Sequence, residues 1–294
     1  TARLEELPRI RACLDQEFVF GKSRRISLAK RFPTVYGPEN IRNIYLLEED
    51  GEILSSLACK QIKFNCDHNR WLGIMIGAVY TLPSRRGEHL GSHLLEKVTC
   101  KLRDREIDFA VLWAENSGFY SRLGWNTADA GVLGESESQS STLKYGGDIE
   151  DLPLSLPTIA RVEQIRKHWL SAFVPREAED YHRLPLPADT SQLLIVEMGN
   201  SQNAYALIGT FRDIGIIYEM IGHPSSYSVL WAEICRRHKK ILVNDSIDSP
   251  SMQWFASNTN VVFKTKSLAM WQWFSKKPEQ ADTAKWYIPY YDRI

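Results

Sequence analysis

Arg85 and Arg86, then Gly87 and Gly91, lie between an apolar run ending at Thr81-Leu82-Pro83 and an amphipathic stretch opening at Leu90. Two guanidinium groups and two permissive backbone positions at a strand-to-helix junction suit anion binding. Free N–H groups of the first helical turn and the positive end of the helix dipole converge on one negative group there. A diphosphate is an anion of the right size for such a loop. Arg85, Arg86, Gly87, Glu88, His89, Leu90, Gly91 and Ser92 are therefore the candidate binding segment. A second cluster follows at Glu115 and Asn116, and then at Tyr120. It offers a carboxylate, an amide and a phenol, groups able to accept, orient or donate a proton.

These groups need a scaffold to hold them. Residues 71–81 read as a buried strand, and Leu90, Leu94, Leu95, Val98 and Leu102 recur along one helical face. Residues 108–113 are almost wholly apolar, as a central parallel strand should be. Strand, helix and strand make a right-handed βαβ unit, with the loop at its first turn. Upstream, Leu4, Leu7, Ile10 and Leu14 predict a helix starting near Pro8. Residues 44–47 and 53–62 predict two strands joined at Asp50-Gly51, a hairpin signal.

Beyond Trp125 the composition turns to Ser, Gly and Asp, and most of 127–157 reads as a linker. A second series of elements then repeats the order of the first: a helix near 159–173, strands near 193–198, 204–208 and 214–221, a helix over 226–237, a strand at 241–244, a short helix at 251–256 and strand-like residues over 261–274. The expected division is a first domain at 1–140, a linker at 141–157 and a second domain at 158–294. The second copy carries Gly222-His223-Pro224-Ser225-Ser226 where the first has its arginines. It keeps the pattern and lacks the charge.

Composition narrows the classes. Among 294 residues, Lys plus Arg and Asp plus Glu number 36 each, which argues against a nucleic-acid partner. Hydrophobic residues make up 44% and charged residues 24%, as in a soluble globular protein. No run reaches the roughly 18 apolar residues of a membrane span, and charges throughout the first 15 residues argue against a signal peptide. Five cysteines without a C-x-x-C pair suggest reduced thiols and a cytoplasmic location. His89, His93 and Glu96 share one helical face, but that face should be exposed, so no metal is expected. The lysine of a Walker A loop is missing, and Gly87 and Gly91 do not supply a dinucleotide fingerprint.

The run Thr81-Leu82-Pro83-Ser84-Arg85-Arg86-Gly87-Glu88-His89-Leu90-Gly91 resembles the central R-x-x-G-x-G/A motif of the GNAT superfamily of N-acetyltransferases. His89 stands where that family usually has its middle glycine. Gly118-Phe119-Tyr120-Ser121-Arg122-Leu123-Gly124-Trp125 is similar to the family's Phe-Tyr-x-x-x-Gly-Phe segment. The resemblance spans roughly residues 1–130. It implies an α/β (α+β mixed sheet) fold of the GNAT type, in two tandem copies, with a degenerate second half. It also implies acetyl-coenzyme A as cosubstrate, its diphosphate on the loop and its pantetheine arm against the backbone of Val79 and Thr81. Direct acetyl transfer to a primary amine, on a small molecule or a protein, follows from it, with Tyr120 as general acid. The alternative for Tyr120 is a packed aromatic, whereas Asn116 could equally cap a helix or touch the cofactor. Glu115 is the best side-chain candidate to accept a proton or anchor an amine, with ordered water the favoured carrier of the proton. A catalytically inactive module that binds acyl-coenzyme A is the alternative function.

Overall fold

Pro8 sits in the first turn of α1 (Leu7–Phe18), where its missing N–H costs no hydrogen bond, and Leu7, Ile10 and Leu14 form the buried face. The helix thus begins where the proline predicts. The computed structural model describes residues 1–66, 69–137, 149–152, 155–198, 202–275 and 286–294. They form two compact units. The first holds the described residues of 1–128 with 268–275 and Ile294. The second holds those of 129–267 with 286–293.

After α1 come two single-turn helices, α2 (Leu28–Arg31) and α3 (Pro33–Tyr36). Three antiparallel strands follow: β1 (Ile44–Glu49), β2 (Glu52–Cys66) and β3 (Asn69–Thr81). The β1–β2 turn uses Asp50 and Gly51 at φ of 47° and 80°, as a tight hairpin of this twist requires. Then come α4 (Leu90–Arg103), β4 (Phe109–Trp113), α5 (Ser117–Ser121) and β5 (Asn126–Thr127). β4 lies parallel to β3, as the βαβ reading requires. The two faces of the sheet are covered by different helices. Leu94, Leu95, Val98 and Leu102 of α4 pack with Leu57, Ile74, Ile76 and Ala110. Leu7, Ile10 and Leu14 of α1 pack with Ile44, Ile53, Ala58 and Tyr80.

The second unit contains β6 (Gly131–Glu137), β7 (Ile149–Leu152), α6 (Leu156–Trp169), β8 (Ala172–Phe173), β9 (Thr190–Val196), β10 (Ala204–Phe211) and β11 (Ile214–Gly222). α7 (Tyr227–Arg237), β12 (Lys240–Ser246), α8 (Pro250–Asn258) and β13 (Val262–Thr265) complete it. Its sheet runs β13-β6-β12-β11-β10-β9-β7. The last strand, β14 (Ala269–Trp273), pairs with β4 and β5, so the first sheet reads β1-β2-β3-β4-β14-β5. In both units an antiparallel trio leads through a helix to a parallel strand: β1-β2-β3, α4, β4 and β9-β10-β11, α7, β12. This is a tandem of one plan.

Two boundaries depart from expectation. The segment expected as a linker supplies β6 and β7 to the second sheet, while 138–148 and 153–154 lie outside the described residues. The strand-like run over 261–274 is two strands, β13 in the second sheet and β14 in the first. Composition reports local polarity, and β6 holds only Val132 and Leu133 as large apolar residues among glycines, a serine and two glutamates, so it does not stand out as a hydrophobic run.

Candidate functional site

β3 and β4 are partners only from Gly73 to Met75, opposite Phe109 to Val111. Beyond Met75, β3 continues to Thr81 without β4 beside it. In the same stretch its register with β2 slips, with Ala58 opposite Gly77 but Ser56 opposite Tyr80. Ala78, inside this bulge, takes φ of 46°, a costly conformation for a residue with a Cβ. Gly77 lies against Ile294, whose backbone carbon and oxygen would stand 2.9 Å from an added Cβ. A bulge and a parting of strands open one end of the sheet.

The loop after β3 closes that opening. Gly87 and His89 adopt positive φ, 91° and 60°. His89 is the N-cap of α4, and its side chain makes no capping hydrogen bond. The first-turn amides are therefore not satisfied by the cap side chain, the arrangement that favours an anion. The histidine adopts the left-handed geometry for which a glycine would be the natural residue, with its side chain exposed. Gly91 is needed for space, because a Cβ there would stand 2.8 Å from the Thr81 hydroxyl.

A cavity of about 720 Å³ lies at this junction. Val79, Thr81, Arg86, Gly87, His89, Leu90, Gly91, Ser92 and Asn116 all line it, and so does Tyr120. Two sequence segments that share no local motif are thus brought together. Asn116 makes no side-chain cap to α5 and lines the cavity.

Arg85, Glu88 and Glu115 do not line the cavity. Arg85 bonds Glu88 at 2.8 Å and Glu49 at 3.0 Å, which commits its guanidinium to carboxylates on the outer side of the loop. Glu115 is exposed past the end of β4. Of the Arg85-Arg86 pair, only Arg86 lines the cavity. Arg86 faces inward. Its Nη2 meets Glu17 Oε1 at 2.9 Å and its Nε donates to the Thr81 carbonyl at 3.3 Å.

Glu17, Phe18, Tyr80, Phe119, Arg122 and Leu123 also line the cavity and carry no motif in the sequence. Glu17 and Phe18 belong to the last turn of α1, and only the packing of that helix on the sheet brings them here. Their one sequence signal is an acidic and an aromatic residue at the end of an otherwise amphipathic helix. Tyr120 packs edge-on against Phe119 and Trp125. Burial pushes its phenol up to about 12. Burial also raises the Tyr80 phenol, helped by a hydrogen bond with Cys13. Among the described residues, no group of three His, Cys, Asp or Glu side chains is placed to hold a metal ion. No helix among them is long and apolar enough to cross a membrane.

Residues 1–128 match the family profile described as "Acetyltransferase (GNAT) domain". No curated protein matches the chain. Among solved structures, the chain is similar to a GCN5-related N-acetyltransferase from Anabaena variabilis. Identity there is 16% and the TM-score 0.71, over 93% of this chain and 72% of that one. It is similar to a conserved protein from Enterococcus faecalis described as a probable N-acyltransferase, at 14% identity and a TM-score of 0.73, over 92% and 70% of the two chains. A tandem GNAT protein of the clavulanic acid biosynthesis pathway also matches, at 7% identity and a TM-score of 0.51, over 82% of this chain and 88% of that one. The matched residues, 1–128, have the fold of a GNAT acetyltransferase domain. The chain as a whole has the tandem GNAT fold, with a second copy that keeps the sheet plan and lacks the arginines of the loop.

Proposed function

We propose that the first unit binds acetyl-coenzyme A and transfers its acetyl group to a primary amine. The observation that carries this reading is the α4 N-terminus, left open by His89 and opening onto the cavity that Tyr120 also lines. The residues fit the cosubstrate. The amides of residues 89–92 would receive the diphosphate, and Arg86 adds one inward charge. The unpaired edge of β3 around Val79 and Thr81 would take the extended arm as an added strand. Coenzyme A supplies the acetyl group as a thioester and leaves as a thiol.

Within this reading, the main-chain N–H of Val79 gives a hydrogen bond to the acyl oxygen, where negative charge develops. The acceptor amine must shed its proton before it can attack. Glu115 is exposed and outside the cavity, which favours ordered water over Glu115 as the proton's path. Tyr120 faces the leaving sulfur. Its pKa of about 12 exceeds that of an ordinary thiol by ~3.5 units, an uphill transfer of ~5 kcal/mol if the sulfur were solvated. The same dry walls make a thiolate more basic, which narrows that gap. Tyr120 therefore acts first as a hydrogen-bond donor to the sulfur and completes the transfer as charge accumulates. No disulfide joins the five cysteines, which supports a cytoplasmic location.

Calorimetric titration with coenzyme A, followed by thiol release from acetyl-coenzyme A across a panel of primary amines, tests the proposal. Binding with amine-dependent release is expected. Binding without release from any amine would instead identify an acyl-coenzyme A-binding module, and no binding would remove both readings.

A further inference from the structure

Glu17 is the only carboxylate among the described residues that line the cavity, and it is spent on the only inward-facing arginine of the anion loop. The two groups come from elements far apart in the chain, α1 and the turn before α4, and meet at 2.9 Å. Neither is deeply buried, with side-chain exposures of 53% for Arg86 and 30% for Glu17, so the pair can exchange partners with solvent or ligand. Arg86 is also anchored through Nε to the Thr81 carbonyl. Its guanidinium would therefore stay at the loop if Glu17 moved away.

Resting on the coenzyme reading above, we propose that Glu17 and the coenzyme's diphosphate are alternative partners of Arg86. Coenzyme binding then releases Glu17 to receive the ammonium group of the acceptor. A diphosphate seated on the α4 amides brings at least two negative charges beside Arg86, and Glu17 at its present distance becomes a third. Like charges at such separation repel by an amount comparable to the salt bridge itself. A carboxylate displaced from Arg86 remains attached to the end of α1, next to Phe18, and still faces the cavity. A cation entering that cavity is its natural new partner. Before the coenzyme binds, the carboxylate is neutralised by Arg86 and attracts an amine weakly. Afterwards it is free, and the cavity has gained a site for a positively charged acceptor. Glu17 is a positioning and specificity residue in this scheme, without a role in the bond-making step.

The test is calorimetry on the intact chain and its Glu17→Gln, Glu17→Asp, Arg86→Gln and double Glu17→Gln/Arg86→Gln variants. Coenzyme A should bind Glu17→Gln about two- to fivefold more tightly than the parent at low salt, the range expected for removing one exposed ionic competitor. Glu17→Asp, which withdraws the charge by one methylene, should fall between. The gain should be largely lost in 0.5 M salt and absent in the Arg86→Gln background. n-Butylammonium, the probe for the second site, should bind the parent more tightly when coenzyme A is saturating, and Glu17→Gln should lose that enhancement. Unchanged or weaker coenzyme affinity in Glu17→Gln would overturn the exchange, as would n-butylammonium binding that ignores coenzyme A. Failure of the parent itself to bind coenzyme A would be a different result, since it would remove the coenzyme reading.

Discussion

Tyr120 keeps its proton across the whole working pH range, because burial among Phe119 and Trp125 pushes its phenol to about 12. Two consequences belong to this residue. Tyr120→Phe should lower turnover by about 10²–10⁴-fold while coenzyme A affinity, measured by calorimetry, stays within about twofold. Near-normal turnover would make Tyr120 a packed aromatic only. The pH profile has a definite sign as well. kcat/KM for the amine should rise with pH as more acceptor is neutral, and no falling limb from Tyr120 should appear below about pH 11. A falling limb near pH 8 or 9 would place the essential acid elsewhere. Arg85 and Arg86 show how far residue-level reading reaches. The sequence puts two cations in the loop, but which one faces the cavity is tied to pairing with Glu17 and Glu49, residues contributed by other elements.

The loop from Arg85 to Gly91 is the element on which the site depends, and its conformation is set by two positive φ angles. Gly87 meets that demand at no steric cost, whereas His89 holds a left-handed backbone against its own Cβ. His89→Gly should therefore raise the stability of the first unit by about 0.5–1 kcal/mol, the relief of strain being offset in part by the greater freedom of glycine when unfolded. Thermal or urea unfolding followed by tryptophan fluorescence would measure it. Coenzyme A should bind the variant at least as well, because a side chain is removed from the mouth of the cradle. A loss of stability would mean that the imidazole makes contacts that outweigh the strain. The strand before the loop was legible as a strand, from its apolar run. Its bulge at Ala78 was not, since the isolated Gly77 hints at a bulge or close approach but does not say where the register slips against β2. A bulge is decided by pairing with another strand, which local pattern does not record.

At the scale of the whole molecule, the second unit is organised around buried charge. Asp292 accepts from Arg176 at 2.7 and 2.9 Å and lies 3.4 Å from Arg183. Arg176 also forms a two-pronged pair with Glu219 at 2.6 and 2.8 Å. Tyr205 adds a hydrogen bond to Glu219 at 3.0 Å. Arg166 and Arg183 are fully buried beside them. Burial works against ionisation of Asp292, yet Arg176, Arg166 and Arg183 together hold its carboxyl below the ordinary carboxylate range. Such a group stabilises the fold above its unfolded pKa, and that contribution is lost as pH falls through the depressed folded value. Asp292→Asn should cost about 3–5 kcal/mol, because it strands buried guanidinium groups without their partner. Urea unfolding at pH 7 should show the loss. The gap between variant and parent should narrow only as pH falls below the ordinary carboxylate range, through the depressed value of the folded parent's carboxyl. A cost under ~1 kcal/mol would mean that Glu219 alone neutralises the cluster.

The sequence by itself determined the elements whose signals are local. Helix α4, the apolar strands on either side of it, the glycines that free the loop and the aromatic segment around Tyr120 all declare themselves through neighbours in the chain. It also determined the recurrence of one element order in both halves, since periodicity survives where residue identity does not. Tertiary structure alone decided which sheet each late strand joins, which arginine turns inward, and that Glu17 and Phe18 of α1 share a cavity with Tyr120. The reason is physical. Hydrophobic period and turn chemistry act over a few residues, whereas strand partnership and charge pairing are settled by what the folded chain brings within a few ångströms, regardless of separation in sequence.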